Sequence, residues 1–343
     1  MNKRQKAYSI SSCNLHNFGP IKNLEWSNLS GINLIIGGNG SGKTFLLKSL
    51  YTAIKVVEQY QRGRENRNTG ELLADKLYWT YQPDKIGDIV TKGMKELSFE
   101  MTSDSKESFI YSYGTSTTKR IGTIQSTYSP RSANSVFIPA KEIISLQSVI
   151  KQSRDNDHSF GFDDTYYDLA TALTPTTKGK NYKTFAESRA KLSNAIGGRI
   201  FYDEQKKTWV FLDTENRQID IFLASEGIKK ISVFDALLGN HYLSNKSVIF
   251  IDEPESALHP SLVGEFMNII YSLSQLGIQF FIATHSYFVI KKLYILSQKN
   301  EMSIPVLSFM NDCNYKIDDM LRGMPENPII NESINLYKEE ISL

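Results

Sequence analysis

The chain has 343 residues, of which 41% are hydrophobic and 22% are charged, and its formal net charge is +2. This composition is typical of a globular protein with a sizeable core, and the balanced charge does not support a general polyanion-binding protein. No apolar run approaches the ~18 residues of a membrane helix, and no signal peptide is evident. Cys13 and Cys313 have neither metal-ligand spacing nor an obvious pairing. We therefore expect a reducing, cytoplasmic setting and no membrane partner.

The N-terminal part of the chain predicts a strand–loop–helix unit. Two apolar segments, Tyr8–Leu15 and Ile21–Trp26, predict paired strands, and Ile32–Ile36 predicts a third strand. A helical pattern runs from Phe45 to about Gln59. The loop between the third strand and this helix fits the pattern G-x-x-x-x-G-K-[ST], and its residues are Gly37, Gly38, Asn39, Gly40, Ser41, Gly42, Lys43 and Thr44.

This glycine-rich loop has the setting that a phosphate-binding loop requires. Its glycines let backbone N–H groups close around phosphate oxygens, and the start of the following helix adds a favourable dipole. We expect Lys43 to reach the β- and γ-phosphates and the Thr44 hydroxyl to bind Mg²⁺. The structural alternative is a glycine-rich turn that binds nothing, which a second motif downstream disfavours.

The middle of the chain alternates between strand and helix patterns. After a polar stretch, Gln61–Gly70, which is typical of a loop or helix end, four strands are expected. The segment 141–197 is predicted to be mostly helical, and it shows no sustained heptad repeat of the kind that forms a long coiled coil. The expected strands are Leu97–Met101, Phe109–Tyr113, Ile121–Tyr128 and Ser135–Ile138, the expected helices are Thr165–Leu173 (capped by Asp163 and Asp164) and Phe185–Ile196, and further strands are expected at Arg199–Tyr202, Thr208–Leu212 and Ile219–Leu223.

A second motif follows Val248–Ile251, an apolar run typical of a buried parallel strand. Asp252 comes directly after it, where a carboxylate beside a phosphate loop holds Mg²⁺. Glu253 is then placed to orient or deprotonate the attacking water. The alternative is an acidic cluster that caps the next helix, a role that would suit Glu255 and Ser256.

A third element is the apolar strand Gln279–Ala283, which ends in the sequence Thr284–Ser286. His285 follows the carboxylate strand, where a γ-phosphate sensor would lie, and its neutral imidazole would donate to the phosphate. The alternative is a structural or solvated histidine. Further along, we expect a strand at Ile304–Met310 and a terminal helix from Ile329 or Asn331.

Taken in this order, the three motifs resemble the ATP-binding-cassette ATPases, and within them the SMC-like and OLD-like ATPases. The resemblance implies an α/β fold with an ABC-type P-loop NTPase core. That core combines a mixed sheet flanked by helices, an antiparallel β subdomain and a short inserted helical lobe. Other segments that resemble this group are NFGPIKNLEW (17–26), FIPAKEIISL (137–146), LASEGIKKISVFDALL (223–238), DEPESALHP (252–260) and ATHSYFVIKKL (283–293).

The resemblance also implies a division of the chain into four segments. These are 1–140, the N-terminal part of the ATPase core with the phosphate loop and the antiparallel β subdomain; 141–197, the helical lobe; 198–310, the C-terminal part of the core with the remaining motifs; and 311–343, a helical tail.

For the site, the resemblance implies that ATP is sandwiched between two subunits. Ser225, Glu226 and Gly227 match the signature of the composite site, so Ser225 and Gly227 would contact the γ-phosphate bound by the second subunit. Ser256–His259 matches the loop that crosses between subunits, and His285 matches the switch histidine. The glutamine that usually contacts Mg²⁺ has no clear match; Gln125, Gln147 and Gln152 are candidates, and Lys141 is an alternative.

The function implied is a Mg²⁺-dependent ATPase that uses Glu253, His285 and Lys43 and forms a homodimer, with larger assemblies left open. Stand-alone members of this group commonly act with a separately encoded effector, often a nuclease, in bacterial defence against phage. OLD nucleases carry a TOPRIM domain; because few residues follow His285, we expect this chain not to be a nuclease itself. We read Asp318 and Asp319 as a solvated turn rather than a nuclease pair.

Three alternatives remain open. A DNA-repair or chromosome-associated SMC-like ATPase would bind DNA in its ATP-closed dimer. The basic stretches Lys119–Arg131 and Lys178–Lys191 suit nucleic acid, although they equally suit solvated faces. A transporter ATPase is disfavoured because ASEGIKK departs from the transporter signature. A module that holds ATP without turnover is disfavoured because Glu253 and His285 are both present.

Overall fold

The computed structural model describes residues 9–174, 185–310 and 314–343. Three features of the sequence predictions fall outside these ranges. They are Tyr8 at the start of the first predicted strand, residues 178–184 of the second basic stretch, and Cys313.

Strands make up three separate sheets in the described part of the chain. In chain order they are β1 (Ser12–Phe18), β2 (Ile21–Trp26), β3 (Ile32–Ile36), β4 (Glu96–Thr102), β5 (Ser108–Gly114), β6 (Thr123–Ser126), β7 (Val136–Ile138), β8 (Gly198–Asp203), β9 (Thr208–Asp213), β10 (Gln218–Asp220), β11 (Val248–Asp252), β12 (Gln279–Thr284), β13 (Pro305–Phe309) and β14 (Tyr315–Asp319).

Helices cover both faces of the largest sheet. They are α1 (Lys43–Gln59), α2 (Thr69–Tyr81), α3 (Gln147–Asp155), α4 (Asp164–Ala172), α5 (Ala186–Ile196), α6 (Glu226–Gly239), α7 (Pro260–Gln275), α8 (Tyr287–Lys299) and α9 (Pro328–Ile341).

The largest sheet has the strand order β14-β13-β3-β12-β11-β7. All of its neighbouring strands pair in parallel except β14, which runs antiparallel to β13 at one edge. Strands β3, β11 and β12 are buried along their whole length, as expected for parallel strands covered on both faces. Ile36 pairs with Thr284, and Asp252 pairs with Ala283. The carboxyl ends of these three strands therefore meet at one edge of the sheet.

The second sheet is antiparallel, with the order β2-β1-β4-β5-β6. Burial alternates along β4 and β5, because one face packs on the core and the other faces solvent. Phe99 and Tyr111 stack on the buried face, with ring centroids 4.9 Å apart. One core cluster joins this sheet and α1 and α2 to the largest sheet. The predicted fold class, a mixed sheet flanked by helices with an antiparallel β subdomain, is confirmed.

The segment between β7 and α6 contains α3, α4, α5 and the third sheet, whose order is β10-β9-β8. Helix α4 packs on β7 and α3, and α5 packs on α6 and α7. Asp163 caps α4 by accepting a hydrogen bond from the Thr165 backbone N–H at 2.8 Å, as the sequence predicted. These short helices lie directly on the core rather than forming an extended arm.

Two predicted strands have different boundaries in the structure. Strand β1 ends at Phe18 rather than Leu15, because the chain turns only at Gly19 and Phe18 still pairs with Ile21. The third strand after residue 198 stops at Asp220, and a 3₁₀ turn follows that Asp220 caps through the Phe222 backbone N–H.

Two further regions differ from the predictions. Helix α2 was not predicted, although Asn68 and Glu71 form a reciprocal capping box at its start. Asp318 and Asp319 lie in β14 rather than in a solvated turn. The Asp319 carboxylate accepts hydrogen bonds from the Ser303 hydroxyl and the Ile304 backbone N–H, so it ties β14 to the start of β13. Across the described ranges, none of the helices combines the length and apolar character that crossing a bilayer requires.

Candidate functional site

The glycine-rich loop connects β3 to α1 at the carboxyl edge of the largest sheet. Gly42 occupies the N-cap of α1 with φ 103°, and no side chain caps the helix there. Gly40 also has a left-handed backbone, with φ 74°. Glycine adopts such angles without the steric cost that a Cβ imposes, which explains the residue type at both positions. An uncapped helix start offers backbone N–H groups and a positive dipole to an anion.

The Lys43 side chain folds back over this loop. Its ammonium donates hydrogen bonds to the carbonyls of Gly37 at 2.9 Å and Gly38 at 2.7 Å. Burial lowers the pKa of Lys43, and the carboxylates at the end of β11, chiefly Asp252, oppose that shift. An ammonium that is buried among neutral carbonyls gains from an anionic partner, so the loop carries a cation suited to phosphate.

Thr44 and Asp252 meet across the sheet. The Thr44 hydroxyl donates to Oδ2 of Asp252 at 2.7 Å, while Oδ1 of Asp252 is buried and has no hydrogen-bond partner among the described residues. Burial raises the pKa of the Asp252 carboxyl, and the Thr44 hydrogen bond opposes the shift. A cation would relieve this cost.

These two residues fit a magnesium ion. Mg²⁺ binds proteins through one or two carboxylates and takes its remaining oxygens from water and phosphates, and a hydroxyl completes such a set. Within the described ranges, no group of three or more His, Cys, Asp or Glu side chains forms a metal cage by itself. The donor set therefore suits an ion that is held jointly with a phosphate ligand.

Glu253 stands one residue beyond β11 in a left-handed backbone conformation, with φ 49°. Its backbone N–H donates to the Ala283 carbonyl at 2.9 Å. Its carboxylate Oε1 lies 3.3 Å from Nδ1 of His285, and both side chains are partly exposed. A carboxylate that is accessible to solvent and oriented by an imidazole can act on a water molecule.

Glu255 is a site residue, and its contacts exclude the alternative that it caps the next helix. Its Oε1 accepts hydrogen bonds from the Thr284 hydroxyl at 2.7 Å and from the His285 backbone N–H at 3.3 Å. The cap of α7 is instead His259, whose ring nitrogen accepts from the Ser261 backbone N–H. Glu255 therefore joins the loop after β11 to the end of β12. Its position two residues after Glu253 is the only signal of this role in the sequence.

The three signature residues lie at the start of α6. Ser225 is exposed and caps the helix by accepting from the Ile228 backbone N–H at 3.4 Å. Gly227 packs so closely on the loop after β11 that a Cβ there would lie 3.0 Å from the Ala257 carbonyl oxygen. Ser225 and Glu226 thus face outwards, while Gly227 faces the carboxylate loop of its own chain.

The three glutamines that were candidates for contacting Mg²⁺ lie on β6 and α3. Gln147 donates to the Ala170 carbonyl at 2.7 Å and accepts from the Trp209 indole N–H at 3.1 Å, so it joins α3, α4 and β9. Gln125 is exposed on β6, and Gln152 is exposed on α3. Lys141 is exposed shortly after β7, the strand that pairs with β11.

Comparison with known proteins places the chain in a family. Residues 32–291 match the family described as "AAA domain, putative AbiEii toxin, Type IV TA system". Because the match covers more than half of the chain, the chain belongs to this family. No curated protein sequence matches the chain.

A solved structure has the same fold. The chain is similar to an SMC head domain with an extended coiled coil, bound to the C-terminal domain of ScpA and derived from Pyrococcus furiosus. That match has 12% identity and a TM-score of 0.54, and it covers 97% of this chain and 99% of that chain. The SMC head domain from Thermotoga maritima matches with 13% identity and a TM-score of 0.47, covering 90% of this chain and 98% of that chain. The first match shows an ABC-type P-loop NTPase fold of the SMC-head kind.

Family and fold together support ATP binding and hydrolysis as the general activity. The strand–loop–helix unit, the carboxylate strand end and the histidine strand end are all at one edge of one sheet. That edge is where open α/β sheets bind their ligands.

Proposed function

We propose that this protein is a Mg²⁺-dependent ATPase whose ATP-bound form is a dimer that acts as a switch. One observation carries the proposal. A single sheet edge holds Thr44 2.7 Å from Asp252 and Glu253 3.3 Å from His285, beside an uncapped helix start. Family membership and fold support it, because both are those of ATPases.

The residues of the loop and of the strand ends have separate roles in binding and hydrolysing ATP. Backbone N–H groups of residues 37–44 and the Lys43 ammonium hold the phosphates of ATP. Thr44 and Asp252 hold Mg²⁺, which when bound neutralises charge on the β- and γ-phosphates. Glu253 orients the attacking water and takes its proton, and His285 holds the Glu253 carboxylate in place.

The second subunit supplies the signature. Ser225 and Glu226 are exposed, and the preceding side chains Phe222 and Leu223 are 59% and 81% exposed. Large apolar side chains beside an exposed helix start are suited to burial against another copy. Ser225 and Gly227 of one subunit would then complete the nucleotide site of the other, so ATP closes the dimer and hydrolysis relaxes it.

The cellular role that we propose is control of a separately encoded effector, such as a nuclease, in bacterial defence against phage. The family description names a putative toxin and a toxin–antitoxin system, which supports a role alongside a second component. In this proposal the closed and open dimers bind the effector with different affinities, and the chain acts in the cytoplasm.

The proposal is tested by light scattering on Glu253→Gln with and without Mg·ATP. We expect ATP to drive or tighten dimerisation, because this variant binds ATP but hydrolyses it slowly. Ser225→Arg in the same background is the control, and it should abolish the ATP effect by placing a bulky cation at the interface. If ATP leaves the mass of the Glu253→Gln particle unchanged, the sandwich mechanism is wrong.

The same preparation discriminates the second function, a DNA-repair or chromosome-associated ATPase. Such a protein would bind duplex DNA in its ATP-locked state, with an affinity that falls steeply as salt rises. Residues 119–131 include Lys119, Arg120 and Arg131, but Arg131 donates to the Lys246 carbonyl and to the Ser9 hydroxyl. Because that arginine is already engaged within the chain, it gives this alternative no support.

A further inference from the structure

Helix α6, which begins at the signature residues, carries a buried lysine that contacts the loop after β11. Lys230 is 3% exposed, and its ammonium donates to the Glu253 carbonyl at 2.5 Å and to the Ala140 carbonyl at 3.3 Å. The negative charges that act on it are the carboxylates of Glu255, Glu253 and Asp252. Burying an ammonium is costly unless its surroundings compensate, so this placement needs a reason.

The loop that Lys230 contacts is strained at two positions. Glu253 and Ala257 both have left-handed backbones, with φ 49° and 64°, although neither is glycine. Such conformations are unfavourable for residues that carry a Cβ and persist only where the surroundings hold them. The Glu253 carbonyl also accepts from the Ser256 backbone N–H at 3.0 Å, which closes a tight turn.

Helix α6 contacts both strained positions. Lys230 holds the carbonyl of Glu253 at the first, and Gly227 packs on the carbonyl of Ala257 at the second. Lys230 also reaches the segment after β7 through Ala140. The helix that begins at the signature is therefore joined within one chain to the residue that we assign to water activation.

We infer that Lys230 is a positioning residue for Glu253 and that it couples the signature helix to hydrolysis. Its ammonium holds the Glu253 peptide in the left-handed conformation that directs the carboxylate towards the nucleotide. A shift of α6, when Ser225 engages the partner's nucleotide, moves that ammonium and with it Glu253. This inference rests on the proposed function, since it names the regulation of the same site.

The test compares Lys230→Met with Lys230→Arg and with a matched control, Lys229→Met. Lys229 is the neighbouring lysine on α6 and is also buried, but it pairs with Glu226 at 2.7 Å rather than with the loop. For each variant, kcat and KM for ATP are measured on the full chain. Affinity for a fluorescent ATP analogue and the unfolding temperature are measured alongside.

We expect Lys230→Met to lower kcat at least ~10-fold while KM and analogue affinity change less than ~2-fold, because misplacing a catalytic group affects the transition state rather than the ground state. Lys230→Arg, which keeps a cationic donor, should recover most of kcat. Lys229→Met should stay close to the parent enzyme. In the Glu253→Gln background, Lys230→Met should cause no further loss, since its effect passes through Glu253.

Several results would overturn the inference. These are an unchanged kcat in Lys230→Met, an equal loss in Lys229→Met, or a further loss in the Glu253→Gln background. If Lys230→Met does not fold, the kcat of Lys230→Gln is compared with that of Lys230→Arg. Glutamine donates without charge and does not reach as far, so Lys230→Gln should lose the activity that Lys230→Arg keeps. If the parent enzyme hydrolyses ATP and Lys230→Met is equally active, the inference about Lys230 is wrong but the proposed function stands. A parent enzyme without ATPase activity would reject both proposals.

Discussion

Nδ1 of His285 lies 3.3 Å from Oε1 of Glu253, which joins the ends of two neighbouring parallel strands. If the imidazole is neutral and donates through Nδ1, its Nε2 carries a lone pair and accepts. A histidine in that state orients Glu253 but does not donate to a phosphate. The sequence motif predicted that His285 senses the γ-phosphate directly. The observed geometry instead suits the positioning of Glu253, and kinetics can distinguish these two roles.

A double-mutant cycle on Glu253→Gln and His285→Ala distinguishes these roles. We expect Glu253→Gln to lower kcat by about 10²–10⁴-fold, the usual contribution of a general base. His285→Ala should lower it less, and the double variant should match Glu253→Gln alone, because the histidine acts through the carboxylate. Multiplicative losses would contradict this and would show that His285 contacts the phosphate independently.

Asp252→Asn should separate stability from magnesium binding. The Asp252 carboxyl is buried, its Oδ1 has no partner among the described residues, and burial raises its pKa. Removing this charge should therefore raise the unfolding temperature of the nucleotide-free protein by about 2 °C. It should also abolish the Mg²⁺ dependence of nucleotide binding. Unfolding scans and analogue titrations with and without EDTA check both outcomes, and a lower unfolding temperature would contradict the first.

Lys76→Met should be strongly destabilising. The Lys76 ammonium lies 2.8 Å from Asp164 Oδ2 and 2.6 Å from Asp168 Oδ2, in a buried cluster that Tyr51 also joins through Asp168. Removing Lys76 leaves the buried Asp168 carboxylate without its ammonium partner, while Asp164 keeps Arg154 at 2.6 Å. We therefore expect a loss of about 3–5 kcal/mol in the free energy of unfolding. Denaturant titration measures it.

The control for this variant is Lys191→Met. Lys191 pairs with Glu187 on the surface of α5, where both side chains are largely exposed, so its loss should be small. Equal destabilisation by Lys76→Met and Lys191→Met would show that the buried cluster contributes nothing beyond a surface pair.

The pH profile of kcat/KM should show a descending limb near pH 8. Burial lowers the pKa of Lys230 to about 8, and the carboxylates of Glu255, Glu253 and Asp252 oppose the shift. Below this pH the lysine is an ammonium that holds the Glu253 carbonyl; above it the lysine is neutral and donates more weakly. Because kcat/KM reports the free enzyme, the limb should follow this group.

Lys230→Arg is the control for the pH profile, because a guanidinium stays charged throughout this range. Its profile should lack the descending limb. The same lowered pKa affects stability in the opposite direction, because a rise in pH that lowers kcat/KM raises the free energy of unfolding. Between about pH 8 and the ordinary lysine pKa the unfolded chain binds more protons, so stability from this group rises with pH. A limb that persists in Lys230→Arg would assign it to another group.

The sequence by itself determined the features that depend on neighbouring residues. The glycine-rich loop, the strand that ends at Asp252 and the strand that ends before His285 are each written in a few consecutive residues. Apolar runs made these strands recognisable, and the resemblance supplied their arrangement in an ABC-type core. Their chemistry is local, so spacing along the chain predicts it.

Only the tertiary structure decided which distant residues meet. Lys230 and Lys229 are adjacent identical residues, yet one holds the Glu253 carbonyl and the other an exposed carboxylate. Gln147, a candidate for the magnesium site, instead binds Trp209 and Ala170. Side-chain type and spacing do not separate these outcomes, because each depends on how helices pack on a sheet whose strands are far apart in the chain. Burial then sets the cost of each charge, and burial is a property of the folded molecule.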